Sequence, residues 1–355
     1  MTEKSTRRRR SVPTINDVAR QAGVSPMTVS RVINSEANVR DSTREAVNLA
    51  IAALNYSPNP AARSLAGAGQ VRIGILYSNP SSAYLSEFLV GGLDQASRSD
   101  AQIVVEKCEI GDHEVEAARH LVAGGIDGII LPPPICDSQA VLAVLEEARV
   151  PTVVVATGRP PEQMLAVTID DREAARAMTR HLMELGHRRI GFVMGNPNQT
   201  GSALRLEGYR LALEEAGLDA DPALVAPGLY TYRSGLDAAE QLLEISNPPT
   251  AIFASNDDMA AAVVAVAHRH HIDVPGDLSV CGFDDTALAT AIWPELTTIR
   301  QPIADMSRKS VDLLIAAIRQ KGRSRTIERH VVLDHALIRR QSDAPPRRRP
   351  STRAR

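Results

Sequence analysis

From Val71 onward, short, predominantly apolar runs alternate with amphipathic stretches. VRIGILYS, IVVEKC, DGIILPP, TVVVAT, RIGFVMG, AIFASN and LSVCGF succeed one another in this way. A strand that is apolar at every position is buried on both faces. Parallel sheets meet that demand, because their crossover helices cover both sides. The intervening stretches at 112–123, 137–148, 172–185, 202–216, 233–245 and 257–270 carry helical periodicity. These strands are too many for one compact sheet, so two lobes are expected. A small ligand would then lie in the cleft between them, at the carboxyl ends of the strands.

The first 70 residues have another rhythm. In TINDVARQAGVSPMTVSRVIN (14–34), Thr14 is placed to cap a helix, with Asp17 in the first turn near the positive end of its dipole. Ile15, Val18, Ala19 and Ala22 share one face, and Gly23 can end the helix in a left-handed conformation. Ser25 caps the next helix and Pro26 opens it, where a missing N–H costs nothing. Val29, Val32 and Ile33 form its buried stripe, which leaves Met27, Thr28, Ser30, Arg31 and Asn34 outward. A third helix follows, capped by Asp41 or Ser42, with Val47, Ile51 and Leu54 as its apolar face. Hydroxyls, an amide and a guanidinium on a short helix suit phosphates and base edges in a major groove.

Charge agrees with that reading. Residues 1–70 hold ten Lys/Arg against five Asp/Glu, and 341–355 hold five against one, so 71–340 is acidic. A basic head on an acidic body implies a polyanion partner for the head alone. No stretch reaches the roughly 18 apolar residues of a membrane span, and the cationic start MTEKSTRRRRS lacks the apolar region of a secretory signal. A cytoplasmic protein with no membrane partner is expected. The three cysteines, Cys108, Cys136 and Cys281, make neither a disulfide framework nor a zinc spacing.

Enzymatic readings find little support. GxGxxG after a strand, GxxxxGK[ST], GxSxG and HExxH are all missing. His268 and His271 are a helical turn apart, but the nearby acid, Asp273, sits in the following turn, so a solvated helix end is the better reading. Neither a catalytic residue, a metal site nor a cofactor is expected. A solute-binding protein would account for 71–340 but not for the head.

The segments TINDVARQAGVSPMTVSRVIN and VRDSTREAVNLAIAALNYSPNPAARSLAG resemble the lactose/galactose repressor (LacI–GalR) family over a long, specific stretch. The resemblance implies a fold with an all-α helix-turn-helix head and an α/β body of two doubly wound parallel-sheet lobes, like periplasmic sugar-binding proteins. The expected organisation is a disordered basic arm (1–13), the DNA-binding domain (14–58), a hinge helix and linker (59–70), the body (71–341) and a disordered basic tail (342–355). Lobe 1 would comprise 71–168 and 301–325, and lobe 2 169–300 and 326–341.

Further implications follow from the resemblance. The partner is double-stranded, pseudo-palindromic operator DNA, bound by a homodimer. The tail QSDAPPRRRPSTRAR has no heptad, which argues against a tetramer. Thr14, Ser25, Pro26, Met27, Thr28, Ser30, Arg31, Asn34 and Asn38 would meet DNA, with Met27 on a thymine methyl and Arg31 on guanine. Leu65 would be a wedge that kinks the operator through its minor groove. Tyr84, Arg205, Tyr230, Asn256 and Asp284 would line the effector cleft. Arg and Asp bridge vicinal hydroxyls, and Tyr stacks on a ring, so a sugar is expected, releasing a repressor from its operator. Ala156 stands where many relatives carry a polar group, which favours a small sugar or a glycoside with an apolar end. A nucleobase acting on a corepressor-dependent regulator is the alternative.

Overall fold

The computed structural model describes residues 13–33, 39–54, 70–109, 111, 113–319 and 328–347. They fall into two compact units, divided at Gln70/Val71.

The head unit holds three helices: α1 (Ile15–Ala22), α2 (Pro26–Ile33) and α3 (Asp41–Leu54). Asp17 accepts from the backbone N–H and the hydroxyl of Thr14, at 2.9 and 2.7 Å. Gly23 ends α1 at φ 68°, a conformation that costs a glycine little. Ser25 Oγ accepts from the N–H of Thr28, three residues into α2. Val18, Ala19, Val29, Val32, Val47 and Ala50 form the core. The start of α3 differs from expectation. Asp41 is its first helical residue, and the Arg40 carbonyl accepts from Thr43 and Arg44. Asp41 therefore acts through the helix dipole and not as a cap.

The body unit contains two six-stranded sheets. The first has the order β11-β5-β4-β3-β1-β2 and is parallel throughout. Its strands are β1 (Val71–Tyr77), β2 (Ala101–Lys107), β3 (Gly128–Leu131), β4 (Thr152–Val155), β5 (Leu165–Thr168) and β11 (His330–Val332). The second has the order β12-β10-β9-β8-β6-β7, with β12 antiparallel to β10. It comprises β6 (Ile190–Val193), β7 (Val225–Ala226), β8 (Ala251–Ala254), β9 (Ser279–Asp284), β10 (Thr297–Arg300) and β12 (Ala336–Ile338). Each sheet reverses its winding direction once, between β1 and β3 and between β6 and β8. Chain ends at such points open a crevice.

Helices α4 (Ser82–Arg98), α5 (Glu114–Ala123), α6 (Gln139–Glu147), α7 (Asp171–Glu184), α8 (Thr200–Glu215), α9 (Tyr232–Glu244), α10 (Asp257–Arg269), the short α11 (Leu288–Ala291) and α12 (Ile303–Arg319) cover the sheets. Helix α12 packs on α4 and on the first sheet. Ile73, Ile75, Phe88, Phe192, Phe253 and Phe283 are fully buried, each worth about 1.5–3 kcal/mol of transfer free energy.

Several local expectations fail for physical reasons. Helix α4 escapes the periodicity reading. It contains Gly91, where a Cβ would lie 2.2 Å from the Ala304 carbonyl, so the glycine that weakens the helix pattern is what lets α4 meet α12. Strand β10 hides because Thr297 and Thr298 are polar yet fully buried, their hydroxyls satisfied by Asp343 and Asp257. The stretch 327–340 does not belong wholly to the second lobe: β11 pairs with β5 in the first sheet, and only β12 joins the second. Residues 342 and 343, expected in the tail, are part of the body. Ser342 is buried and donates to the Val280 carbonyl, and Asp343 accepts from His181 Nε2 at 2.8 Å. Pro- and Arg-rich composition masks this polar anchorage. The three cysteines are buried and free.

Candidate DNA-reading helix and effector cleft

In the head, α2 presents an exposed Pro26, Met27 and Arg31, with Met27 66% accessible. A thioether that open to water is a contact surface waiting for apolar groups. Ser25 and Thr28 join hydroxyls at 2.9 Å, and Ser30 is half-buried. Thr14 is exposed, with its hydroxyl donated to Asp17. Those two hydrogen bonds, and then Arg20, hold the Asp17 carboxyl below its usual range. Asn34, Asn38, Leu65 and the 7–10 arginine run lie outside the described residues.

In the body, the five residues expected to take up an effector line one cavity. Tyr84, Arg205, Tyr230, Asn256 and Asp284 are joined there by Asn79, Ser81, Ala156, Gln199 and Gln301. The cavity measures about 40 Å³. That is room for two or three waters, on the order of 10–15 Å³ each, and far below the several hundred Å³ of a drug-sized site.

Arg205 sits at its base, 6% exposed. Glu207, two residues on, is exposed and pairs with Arg172 at 3.2 Å. Arg205 Nε donates to Asp171 Oδ1 at 2.7 Å and its Nη1 to the Ser255 carbonyl at 2.6 Å. The Phe283 ring covers the guanidinium at 3.6 Å, Tyr230 stands 5.8 Å away, and Asp284 Oδ1 is 4.0 Å from Nη1. Close packing of α7 against α8 makes the pair with Asp171: a Cβ on Gly208 would come within 2.0 Å of the Arg172 carbonyl.

Burial pushes the Asp284 carboxyl up to about 7, against the opposing pull of Arg205 and the Gln301 amide. Burial also raises Asp171, again opposed by Arg205, and raises Asp257 well above the carboxylate range. Tyr230 is pushed up to about 12 by burial. Buried Tyr84 Oη and Gln301 Oε1 have no hydrogen-bond partner among the described residues, which costs free energy unless a ligand or water meets them.

The backbone is unusual at the same place. Ala156, Tyr230 and Asp284 adopt φ of 54°, 61° and 107°. Left-handed conformations are unfavourable for side chains of this kind and persist where the surroundings enforce them. Asn256 is one enforcer: its Nδ2 donates to the Tyr230 carbonyl at 3.1 Å and its Oδ1 caps α10 through Met259 N–H. Its amide is thus engaged by protein on both sides. Gly195 is another, since its missing side chain makes room for the Tyr230 ring.

Polar links cross from lobe to lobe, among them the Gly158 N–H that donates to Thr200 Oγ1 at 2.7 Å. Ser81 Oγ donates to Asp258 Oδ2 at 2.6 Å. Asp137 accepts from the N–H and the hydroxyl of Thr200, both at 2.9 Å, at the first turn of α8, and from Thr157 at 2.7 Å. Sequence reading missed Asn79, Ser81, Gln199 and Gln301. The signal was available in part: Asn79 and Ser81 follow β1 and Gln301 follows β10, both at carboxyl ends of strands.

A helix-turn-helix head joined to a two-lobed body with a buried polar cleft defines a class: DNA-binding regulators that carry a domain for a small effector. Comparison with known proteins makes this specific. Residues 14–59 match the bacterial regulatory proteins of the lacI family, and 179–342 match a periplasmic binding protein-like domain. The chain is 35% identical to catabolite control protein A of Priestia megaterium over 332 residues, 93% of this chain and 98% of the relative. It is 36% identical to the regulator CelR of Thermobifida fusca over 338 residues, covering 93% and 98%. Among solved structures, the lac repressor dimer bound to operator and the anti-inducer ONPF superposes with a TM-score of 0.78 at 29% identity, covering 94% of this chain and all of that one. A CelR–cellobiose complex superposes at 0.71 with 32% identity, covering 93% and 99%. This chain belongs to the LacI family of transcriptional regulators.

Proposed function

We propose that this protein is a homodimeric repressor of a pseudo-palindromic operator, released when a small sugar binds between the lobes of its body. The observation that carries the effector reading is the gathering of Arg205, Asp284, Tyr84 and Tyr230 around one cavity. A guanidinium and a carboxylate suit adjacent hydroxyls, and a tyrosine face suits the C–H side of a pyranose. The similar CelR structure, solved as a complex with cellobiose, supports the class.

The narrow cavity requires the lobes to part for entry. The Ser81–Asp258 and Asp137–Thr200 links are among the bonds that such a movement strains. A ligand with different affinity for the open and closed forms shifts their populations, and the paired heads then fit both half-sites to different degrees. On the DNA side, Arg31 reads guanine and Met27 a thymine methyl. Thr14, Ser25, Pro26, Thr28, Ser30, Asn34 and Asn38 position the helix on the backbone and base edges, and Leu65 wedges the operator centre.

The test is a thermal-shift screen of mono- and disaccharides and nucleobases, followed by operator binding with each hit. A sugar that raises the melting temperature and weakens operator binding is the expected result. A nucleobase that strengthens operator binding would replace the reading with a corepressor mechanism.

A further inference from the structure

We infer that the cleft selects an uncharged effector and rejects phosphorylated or carboxylated analogues, with Asp284 as the residue that enforces the choice. This rests on the effector reading above and adds a chemical restriction to it.

The argument is a charge count at the cavity wall. Among the described residues that line it, Arg205 is the one cation. Its charge is already answered. Asp171 takes Nε at 2.7 Å, the Ser255 carbonyl takes Nη1 at 2.6 Å, and Phe283 seals one face at 3.6 Å. Asp284 is a second carboxylate beside the same guanidinium, 4.0 Å from Nη1 and 5% exposed. Gln301 donates to it, which holds its position without adding charge.

Behind Asp284 the acids continue. Asp257 is fully buried and accepts from Thr286 N–H and Thr298 Oγ1, and Asp258 accepts from Ser81. Glu87 adds a half-buried carboxyl whose range is raised by burial and then by Asp285. Arg300 and Arg340 are spent on Asp285. An anionic ligand would enter a water-poor site whose one arginine is neutralised, and it would have either to face an ionised Asp284 or to force a proton onto it, since burial already holds these carboxyls toward the neutral form. A sugar hydroxyl meets the opposite situation: it donates a hydrogen bond to Asp284, and its oxygen can accept from guanidinium N–H groups not taken by Asp171 and Ser255. A phosphate would need an unpaired arginine or a helix N-terminus. Three helices begin at this cavity, and the first turn of each already has its acceptor: Ser81 Oγ for α4, Asp137 for α8 and Asn256 Oδ1 for α10.

Calorimetry on the full chain with matched probes tests this: glucose against glucose 6-phosphate and glucuronate, and galactose against galactose 1-phosphate and galacturonate. In the wild type at pH 9, two units above the Asp284 value of about 7, the neutral member of any binding pair should bind on the order of 100-fold tighter than its anionic partners, because an anion beside Asp284 must meet its charge or protonate it, at about tenfold per pH unit. Asp284→Asn keeps the shape and removes the charge, and should narrow that gap at least about tenfold, chiefly by admitting the anion. Asp258→Asn, one step further back, provides the same test with a smaller gain, about threefold, should the first variant fold poorly. An anion that binds the wild type as tightly as its neutral partner, or a gap unchanged in these variants, overturns the inference while leaving a sugar effector standing. A panel in which nothing binds overturns both.

Discussion

Replacing Arg205 by Met should turn the body of this protein into a pH-dependent structure. Methionine keeps an unbranched stem of similar length against Phe283, so little void is left and the change is chiefly one of charge. Asp171 and Asp284, with side chains 1% and 6% exposed, then lose the cation they share. Leaving a buried charge without its partner costs about 3–5 kcal/mol. At pH 8 that corresponds to a fall of roughly 6–10 °C in Tm, taking about 2 °C per kcal/mol for a domain of this size.

The sign of the pH dependence follows from the carboxyls. Both are already held above their ordinary range by burial, Asp284 at about 7, and Arg205 is what pulls them down. Without it they rise further. The folded variant then binds more protons than its unfolded chain above pH 4, so its stability falls as pH rises. Acidification protonates both groups, and by pH 5 the deficit relative to wild type should shrink below about 2 kcal/mol. Urea denaturation followed by circular dichroism at pH 5 and pH 8 measures both quantities. A loss under about 1 kcal/mol at pH 8, or one that does not diminish in acid, would refute the assignment of Arg205 as the buried counter-charge.

Other outcomes are expected elsewhere in the chain. Arg31→Ala should cost about 1–3 kcal/mol in operator binding and relax preference at one base pair per half-site; lost affinity with unchanged preference, read from a mutant-operator series, would reassign Arg31 to phosphate. Leu65→Ala should weaken operator binding much more than non-specific DNA binding, and equal losses in a gel-shift comparison would remove the wedge role. Sedimentation should give a dimer that survives removal of 348–355. Removal from residue 342 should instead destabilise the second lobe, because it strips the buried Ser342 and the Asp343–His181 pair; equal melting temperatures for the two truncations would contradict that anchorage.

What the sequence determined by itself was local or periodic. Helix α1, Gly23 and Ser25 are legible because capping and a left-handed turn depend on residues within one helical turn of each other. The largely apolar runs marked β1, β3, β4, β6, β8 and β9 because burial on both faces leaves few polar positions, and those mostly at strand ends. Resemblance supplied the positions around the cleft. Tertiary structure alone decided what each side chain does there. That Arg205 is spent on Asp171, that the Asn256 amide pins the Tyr230 backbone, and that Asp137 reaches across to cap α8 all depend on residues 26 to 63 positions apart. The same holds for β10, whose buried threonines read as surface until Asp257 and Asp343 arrive from other elements to satisfy them. Hydrophobic pattern is a property of neighbours along the chain. A buried polar group is fixed by whichever partner folding brings within about 3 Å, and no local pattern records that distance.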